Sequence, residues 1–173
     1  MVRVRWNHCF LGTDFRFKAR CDKAGRIRES EDMCRSISAG ANDFNGGGLA
    51  KIEDIPEFLS GFRARAERFG DIEAGELQQV FITEYSPGAA IGWHKDRGVF
   101  GDVVGISLLS PCTFRLRLKA GGCWERRNLT AEPRSIYLLR GPSRAEWEHS
   151  IPAVESLRYS ITFRNVLEAP GCP

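Results

Sequence analysis

His94 and Asp96 stand two residues apart in the stretch GWHKDRGVFGD, Gly92 to Asp102, of a chain that owns only 3 histidines. In an extended segment residues i and i+2 project to the same side, so an imidazole nitrogen and a carboxylate oxygen can meet there at one point. A metal ion would need a third ligand. His149 suits that part: in AEWEHSI, Trp147, His149 and Ile151 alternate with Glu146, Glu148 and Ser150, which puts the histidine on an apolar strand face where its ring nitrogens need a partner. His8, the remaining histidine, lies in a segment without readable pattern.

Two histidines and one carboxylate on one face of an octahedron leave three coordination positions open, the arrangement that non-haem Fe(II) oxygenases use. The same three residues also suit ordinary core or surface histidines, and the trio alone leaves both readings open. A second pattern bears on the choice. In RYSITFR, Arg158 to Arg164, Tyr159, Ile161 and Phe163 take one strand face while Arg158, Ser160, Thr162 and Arg164 take the other. Such an arginine pair is either a solvated face or a floor for a carboxylate, because a guanidinium matches a carboxylate in bidentate fashion. Iron with open positions and a nearby arginine for a dicarboxylic cosubstrate would form one site.

The elements that must carry these residues are legible mainly in the second half. Ile55, Phe58, Leu59, Phe62, Ala66 and Phe69 recur every three or four residues, with Asp54 as a cap, Pro56 in the first turn and Gly70 as a stop, which predicts an amphipathic helix. Its outer face carries Arg63, Arg65 and Arg68. From Gln78 onward QVFITEY, DVVGISLLS, TFRLRLK, SIYLLR and LRYSITFRNV read as short strands separated by Pro and Gly turns. Strands in succession, with helix confined to the N-terminal part, predict a mainly β chain, an antiparallel sandwich or jelly roll. The first fifty residues are polar and aperiodic, with weak strand hints only around Phe15 and Phe17.

At 173 residues and 42% hydrophobic composition, the chain suits one domain that buries its core without disulfides or a structural metal. We expect residues 1–50 to be a lid or disordered segment, 51–76 a helical support and 77–168 the catalytic core. A formal charge of +3 permits a nucleic-acid partner without demanding one. The 6 cysteines are irregularly spaced with no CxxC pair, which excludes a zinc ribbon or thioredoxin-like motif and suits reduced thiols. With no apolar leader and nothing near the roughly 18 apolar residues of a membrane span, a cytoplasmic protein without membrane attachment is expected. No obligate protein partner is implied.

TEYSPGAAIGWHKD, VVGISLLS, PRSIYLLRGPSRAEWEHSI and RYSITFR together resemble the AlkB-like Fe(II)- and 2-oxoglutarate-dependent dioxygenases, over about Leu77 to Val166. The resemblance implies a double-stranded β-helix, with Fe(II), 2-oxoglutarate and O2 as the cofactors. It makes His94, Asp96 and His149 the iron ligands. Arg158 and Tyr85 would hold the distal carboxylate of 2-oxoglutarate, Ser160 would stand at a further cosubstrate position, and Arg164 would lie near the metal end. The implied reaction couples conversion of 2-oxoglutarate to succinate with hydroxylation of an N-methyl carbon, whose product releases formaldehyde. Thr83 and Ser160 stand where members often carry Asn, and Gly98 where the DNA-repair members have a second acid.

The expected substrate is methylated DNA or RNA. Supporting it, TFRLRLK turns Phe114, Leu116 and Leu118 inward and sets Arg115, Arg117 and Lys119 on the opposite face, followed by Arg126 and Arg127, a row able to track phosphates. Trp93, Trp124 and Trp147 are candidates to stack on a flipped base. The alternatives are an oxygenase acting on a protein side chain or small molecule, and a catalytically silent nucleic-acid-binding jelly roll.

Overall fold

The computed structural model describes residues 54–167 in full and, before them, the backbone of 34–40, 43–44 and 49–50. His8 and the strand hints at Phe15 and Phe17 lie outside the described residues. Three strands come first: β1 (Cys34–Gly40), β2 (Asp43–Phe44) and β3 (Leu49–Ala50). A 3-10 turn (Glu57–Leu59) leads into α1 (Ser60–Gly70). Then follow β4 (Gln79–Tyr85), β5 (Ile91–His94), β6 (Phe100–Leu108), β7 (Cys112–Ala120), β8 (Cys123–Ala131) and β9 (Ser135–Leu139). A four-residue helix α2 (Pro142–Ala145), β10 (Glu148–Ile151) and β11 (Arg158–Val166) complete the order.

The strands form two antiparallel sheets, β1-β4-β11-β6-β9 and β5-β10-β7-β8, with β2 and β3 as a separate pair. This is the antiparallel jelly roll that the strand pattern predicts. β11 lies at the centre of the larger sheet and has two buried faces. Toward α1, Ile161 and Phe163 join Val80, Val104 and Ile106 against Leu59, Phe62 and Ala66. Toward the smaller sheet lies the second core, in which Tyr85, Val103 and Leu139 meet Phe114, Leu116 and Ile151. A phenylalanine buried in this way contributes about 1.5–3 kcal/mol of transfer free energy.

Four sequence expectations change. Phe58, assigned inward, is 59% exposed, because Glu57–Leu59 is a 3-10 turn whose three-residue repeat departs from the α-helical phase. Asp54 does not cap the helix: Pro56 precedes the turn and no side-chain cap bond forms. The left-handed residue that ends α1 is Asp71, at φ 52°, while Gly70 is still helical. A Cβ at position 70 would lie 2.7 Å from Ile72 Cδ1, so the end of that side chain would have to shift for any other residue. Helix is also not confined to the N-terminal part, because α2 interrupts the strands between β9 and β10.

Strands β1, β5 and β8 carry no clear period in the sequence. Cys34–Gly40, read as unpatterned, pairs along β4 from Cys34 opposite Tyr85 to Gly40 opposite Gln79. β8 is exposed along most of its length, so no apolar alternation marks it. Among the described residues no helix is long and apolar enough to cross a membrane.

Candidate metal and cosubstrate site

β10 pairs with β5 so that His149 faces His94 across the ladder, and the two imidazole rings lie 4.2 Å apart between centroids. Asp96 follows β5 in a loop and turns back toward the pair. One ligand atom from each of His94, Asp96 and His149 lies within 4.8 Å of the others. The His94 Nδ1–H donates to the Gly92 carbonyl at 2.9 Å, which leaves the lone pair of Nε2 free for the cluster. On the other side, Phe114 stacks on the His149 ring at 5.4 Å.

Burial first, and then the neighbouring His94, lower the His149 pKa from 6.5 to about 4. The ring is therefore neutral near pH 7, the form that binds a metal. Its Nε2 stands 4.0 Å from Asp96 Oδ2, a contact between a neutral ring and a carboxylate at that pH. Arg164 Nη2 donates to Asp96 Oδ1 at 3.0 Å and fixes the other carboxylate oxygen's neighbour. Arg144, which the sequence did not signal, supports the same loop through backbone carbonyls: Nη1 donates to Asp96 at 3.2 Å, and Nη2 to Phe100 at 2.7 Å and to Arg97. Burial lowers the Arg144 pKa from its ordinary value.

Register places the cosubstrate candidates on the inner face of the larger sheet. Arg158 pairs with Tyr85, Ser160 with both Thr83 and Ser107, and Arg164 with Gln79 and Val103. Arg158 is only 1% exposed. Its guanidinium lies 4.5 Å over the Tyr85 ring and donates from Nη2 to Ser107 Oγ at 3.0 Å. Its Nε and Nη1 are buried with no hydrogen-bond partner. Leaving charged donors buried without an acceptor costs several kcal/mol, so the arrangement suits an anion. The Tyr85 hydroxyl is 3.5 Å from Ser160 Oγ.

The alternation that sequence reasoning assigned to β11 is thus present, but its polar face points between the sheets rather than to water. Tyr137 was also missed. Its ring meets Phe114 at 5.0 Å, and burial, then the nearby Tyr85, push its pKa above the ordinary tyrosine range against the opposing pull of Arg158. A single tyrosine in SIYLL carries no signal of its own, because only the sheet register puts it beside the arginine.

The aromatic and cationic candidates divide by face. On β7, Phe114 and Leu116 are buried inward while Arg115, Arg117 and Lys119 point out. Register sets Trp124 opposite Lys119 and Arg126 opposite Arg117 on that same outer face. Arg117 lies between Trp93 at 4.5 Å and Trp124 at 4.2 Å, and binds Glu148 at 2.6 Å. Arg127 takes the alternate side and pairs with Glu125. Trp147, a candidate for base stacking, packs against the inter-sheet core. On α1, Arg63 is held by Glu67 while Arg65 and Arg68 are exposed.

An antiparallel jelly roll that brings two histidines and one carboxylate together has the ligand set of the iron-dependent oxygenases. The chain belongs to the 2OG-Fe(II) oxygenase superfamily, whose family model matches residues 13–164. Within it the chain is AlkB-like, and the cofactors of this family of oxidoreductases are Fe(II), 2-oxoglutarate and O2. It is 28% identical over 153 residues to the alkylated DNA repair protein ALKBH8 homolog of Arabidopsis thaliana, covering 69% of this chain and 44% of that protein. It is 35% identical over 92 residues to the mitochondrial alpha-ketoglutarate-dependent dioxygenase alkB homolog 7 of Bos taurus, covering 51% and 40%. The chain therefore spans less than half the length of these curated relatives.

Two solved structures share the fold. OsALKBH1 superposes with a TM-score of 0.54 at 15% identity, over 81% of this chain and 82% of that one. A Pseudomonas putida prolyl-4-hydroxylase gives 0.55 at 14% identity, over 84% and 79%.

Proposed function

We propose that this protein is an Fe(II)- and 2-oxoglutarate-dependent dioxygenase that oxidatively demethylates alkylated nucleic-acid bases. The observation that carries the reading is the buried Arg158 guanidinium, whose Nε and Nη1 have no partner, in the same interior as the His94, Asp96 and His149 cluster. A zinc hydrolase or a silent binding module would leave that buried cation without a task.

In this reading His94 and His149 offer neutral imidazole lone pairs and Asp96 a carboxylate oxygen to iron. Iron, when bound, supplies the oxygen activation that side chains lack. Arg164 holds Asp96 in orientation, and Arg144 holds the loop that carries it. Arg158 takes the distal carboxylate of 2-oxoglutarate, with Tyr85 packed on its face and Ser160 alongside. Phe114, Leu116, Val103 and Leu139 wall the interior and exclude water from it, which strengthens each of these polar contacts. The chain's part is to hold cosubstrate and target carbon in register.

A nucleic-acid substrate is supported by the outer face of the smaller sheet. There Arg115, Arg117, Lys119 and Arg126 surround Trp93 and Trp124, and cations interleaved with aromatic faces suit a single strand's phosphates and bases. The name of the Arabidopsis relative points the same way.

The test is anaerobic addition of Fe(II) and 2-oxoglutarate to the purified protein. A weak visible charge-transfer band that needs both, followed by succinate on admitting oxygen, is expected. With a methylated oligonucleotide, formaldehyde should appear as well. His94→Ala should remove all metal-dependent turnover with the fold intact, and a fully active variant would remove the cluster from consideration.

A further inference from the structure

The two histidines of the ligand cluster have chain neighbours on the opposite face of the same strands, and one side chain joins those neighbours. Successive residues of a strand point to opposite faces. With His94 and His149 turned inward, Trp93 and Glu148 stand on the outer face of the smaller sheet. Arg117 on β7 reaches both. Register sets it opposite Glu148, its Nε donates to Glu148 Oε2 at 2.6 Å, and its guanidinium lies over the Trp93 ring at 4.5 Å. It also lies over Trp124 of β8 at 4.2 Å, so one planar group links all four strands of the sheet. Arg115 repeats the pattern two residues earlier: its Nε donates to Ser150 Oγ at 3.0 Å, and its guanidinium lies over Trp93 at 5.0 Å.

The backbone by itself holds β5 weakly. The strand has four residues, stands at the sheet edge, and pairs with β10 in a register that shifts between His149 and Ile151. His94 is its last residue, and it meets His149 only across this ladder, with 4.2 Å between ring centroids. A slip or tilt of β5 would part the two ligands. A guanidinium stacked on an indole and bonded to a carboxylate opposes that motion, because its plane fixes both contacts at once where a flexible ammonium would fix neither.

We propose that Arg117 is a positioning residue for the iron site, which fixes β5 against β10 through Trp93 and Glu148 and so sets the spacing of His94 and His149 from the far side of the sheet. The proposal rests on the iron-ligand reading given above and assigns the outer stack a task in it.

The experiment is calorimetric titration of Fe(II) into anaerobic metal-free protein, for the wild type, Arg117→Met, Trp93→Leu, the double variant and Phe163→Ala. In Arg117→Met the Kd for Fe(II) should rise about tenfold, as when a group that orients a metal ligand is lost. The sign is informative, since removing a cation near the site would by charge alone tighten Fe(II) binding. Trp93→Leu takes away the other half of the contact with no change of charge and should weaken binding to a similar extent. The double variant should lose no more than either single one, because both remove one contact. Phe163→Ala lowers the unfolding midpoint from the separate core beneath α1 and should keep wild-type Fe(II) affinity. Unchanged or tighter Fe(II) binding in either single variant would overturn the proposal. So would additive losses in the double variant, or an equal loss in Phe163→Ala, which would trace the effect to stability. Absence of Fe(II) binding in the wild type would overturn the iron-ligand reading itself, before any variant is compared.

Discussion

The two faces of β11 are built from alternate residues of one strand, yet they do different work. Ile161 and Phe163 face α1 in a wholly apolar core. Arg158, Ser160 and Arg164 face the smaller sheet with hydroxyls, a carboxylate and buried guanidinium nitrogens that lack partners. The first face stabilises the protein, and the second spends part of that stability on buried polar groups whose donors are not all satisfied within the chain. A central strand can carry such a face because its backbone is paired on both sides and its other face is well packed.

The comparison is open to attack at its apolar side first. Phe163→Ala removes a fully buried ring and should destabilise the protein by about 3–5 kcal/mol in denaturant unfolding. Where the variant remains folded, its affinity for 2-oxoglutarate should be close to that of the parent. A large affinity loss without loss of stability would reverse the roles assigned to the two faces.

Across the interior from the polar face, His149 adds a pH effect with a definite sign. Its folded pKa of about 4 lies below the ordinary 6.5, so the unfolded chain binds the proton more readily. The stability linked to this residue is fully present above pH 6.5 and is lost as pH falls toward 4, by up to about 3 kcal/mol. Metal-free protein should lose this much between those limits in unfolding titrations. His149→Gln should flatten that part of the profile.

Arg158→Met sharpens the comparison from the polar side. It replaces a buried, incompletely partnered cation by an apolar chain of similar length, so stability should be unchanged or higher. The affinity for 2-oxoglutarate should nonetheless fall about a hundredfold, as expected when a buried charged partner of a carboxylate is removed. If this variant unfolded as readily as Phe163→Ala, the inner face would be a second structural core and the comparison would fail.

The smallest effect belongs to the outer face of the other sheet. Lys119→Ala with Arg126→Ala should weaken nucleic-acid binding uniformly across sequences and reduce the salt slope by about 2. Cosubstrate turnover without nucleic acid should not change. An unaltered slope would assign those cations to solvation alone.

Residue pattern alone carried a large part of this architecture. β4, β6, β7, β9 and β11 were legible because each has apolar residues at a two-residue period or a continuous buried run, the signature of a sheet with a packed face. β8 was not, since a strand exposed on most of its length has no reason to alternate, and β5 has only four residues in which to show a period. Phe58 was misassigned because a single 3-10 turn shifts helical phase without leaving a mark in composition.

For the site, the sequence by itself determined the candidates: HxD at 94 and 96, a histidine on a strand face at 149, and two arginines on one side of β11. Local spacing is enough for that, because i and i+2 share a face in any extended chain. Only the tertiary structure decided that the arginine face lies inside the molecule, that His149 meets His94 across a ladder, that Arg144 grips the loop carrying Asp96, and that Tyr137 lies over Gly105. Those facts depend on which strands become neighbours and in what register, and contacts between residues thirty or more positions apart leave no period in the sequence to read.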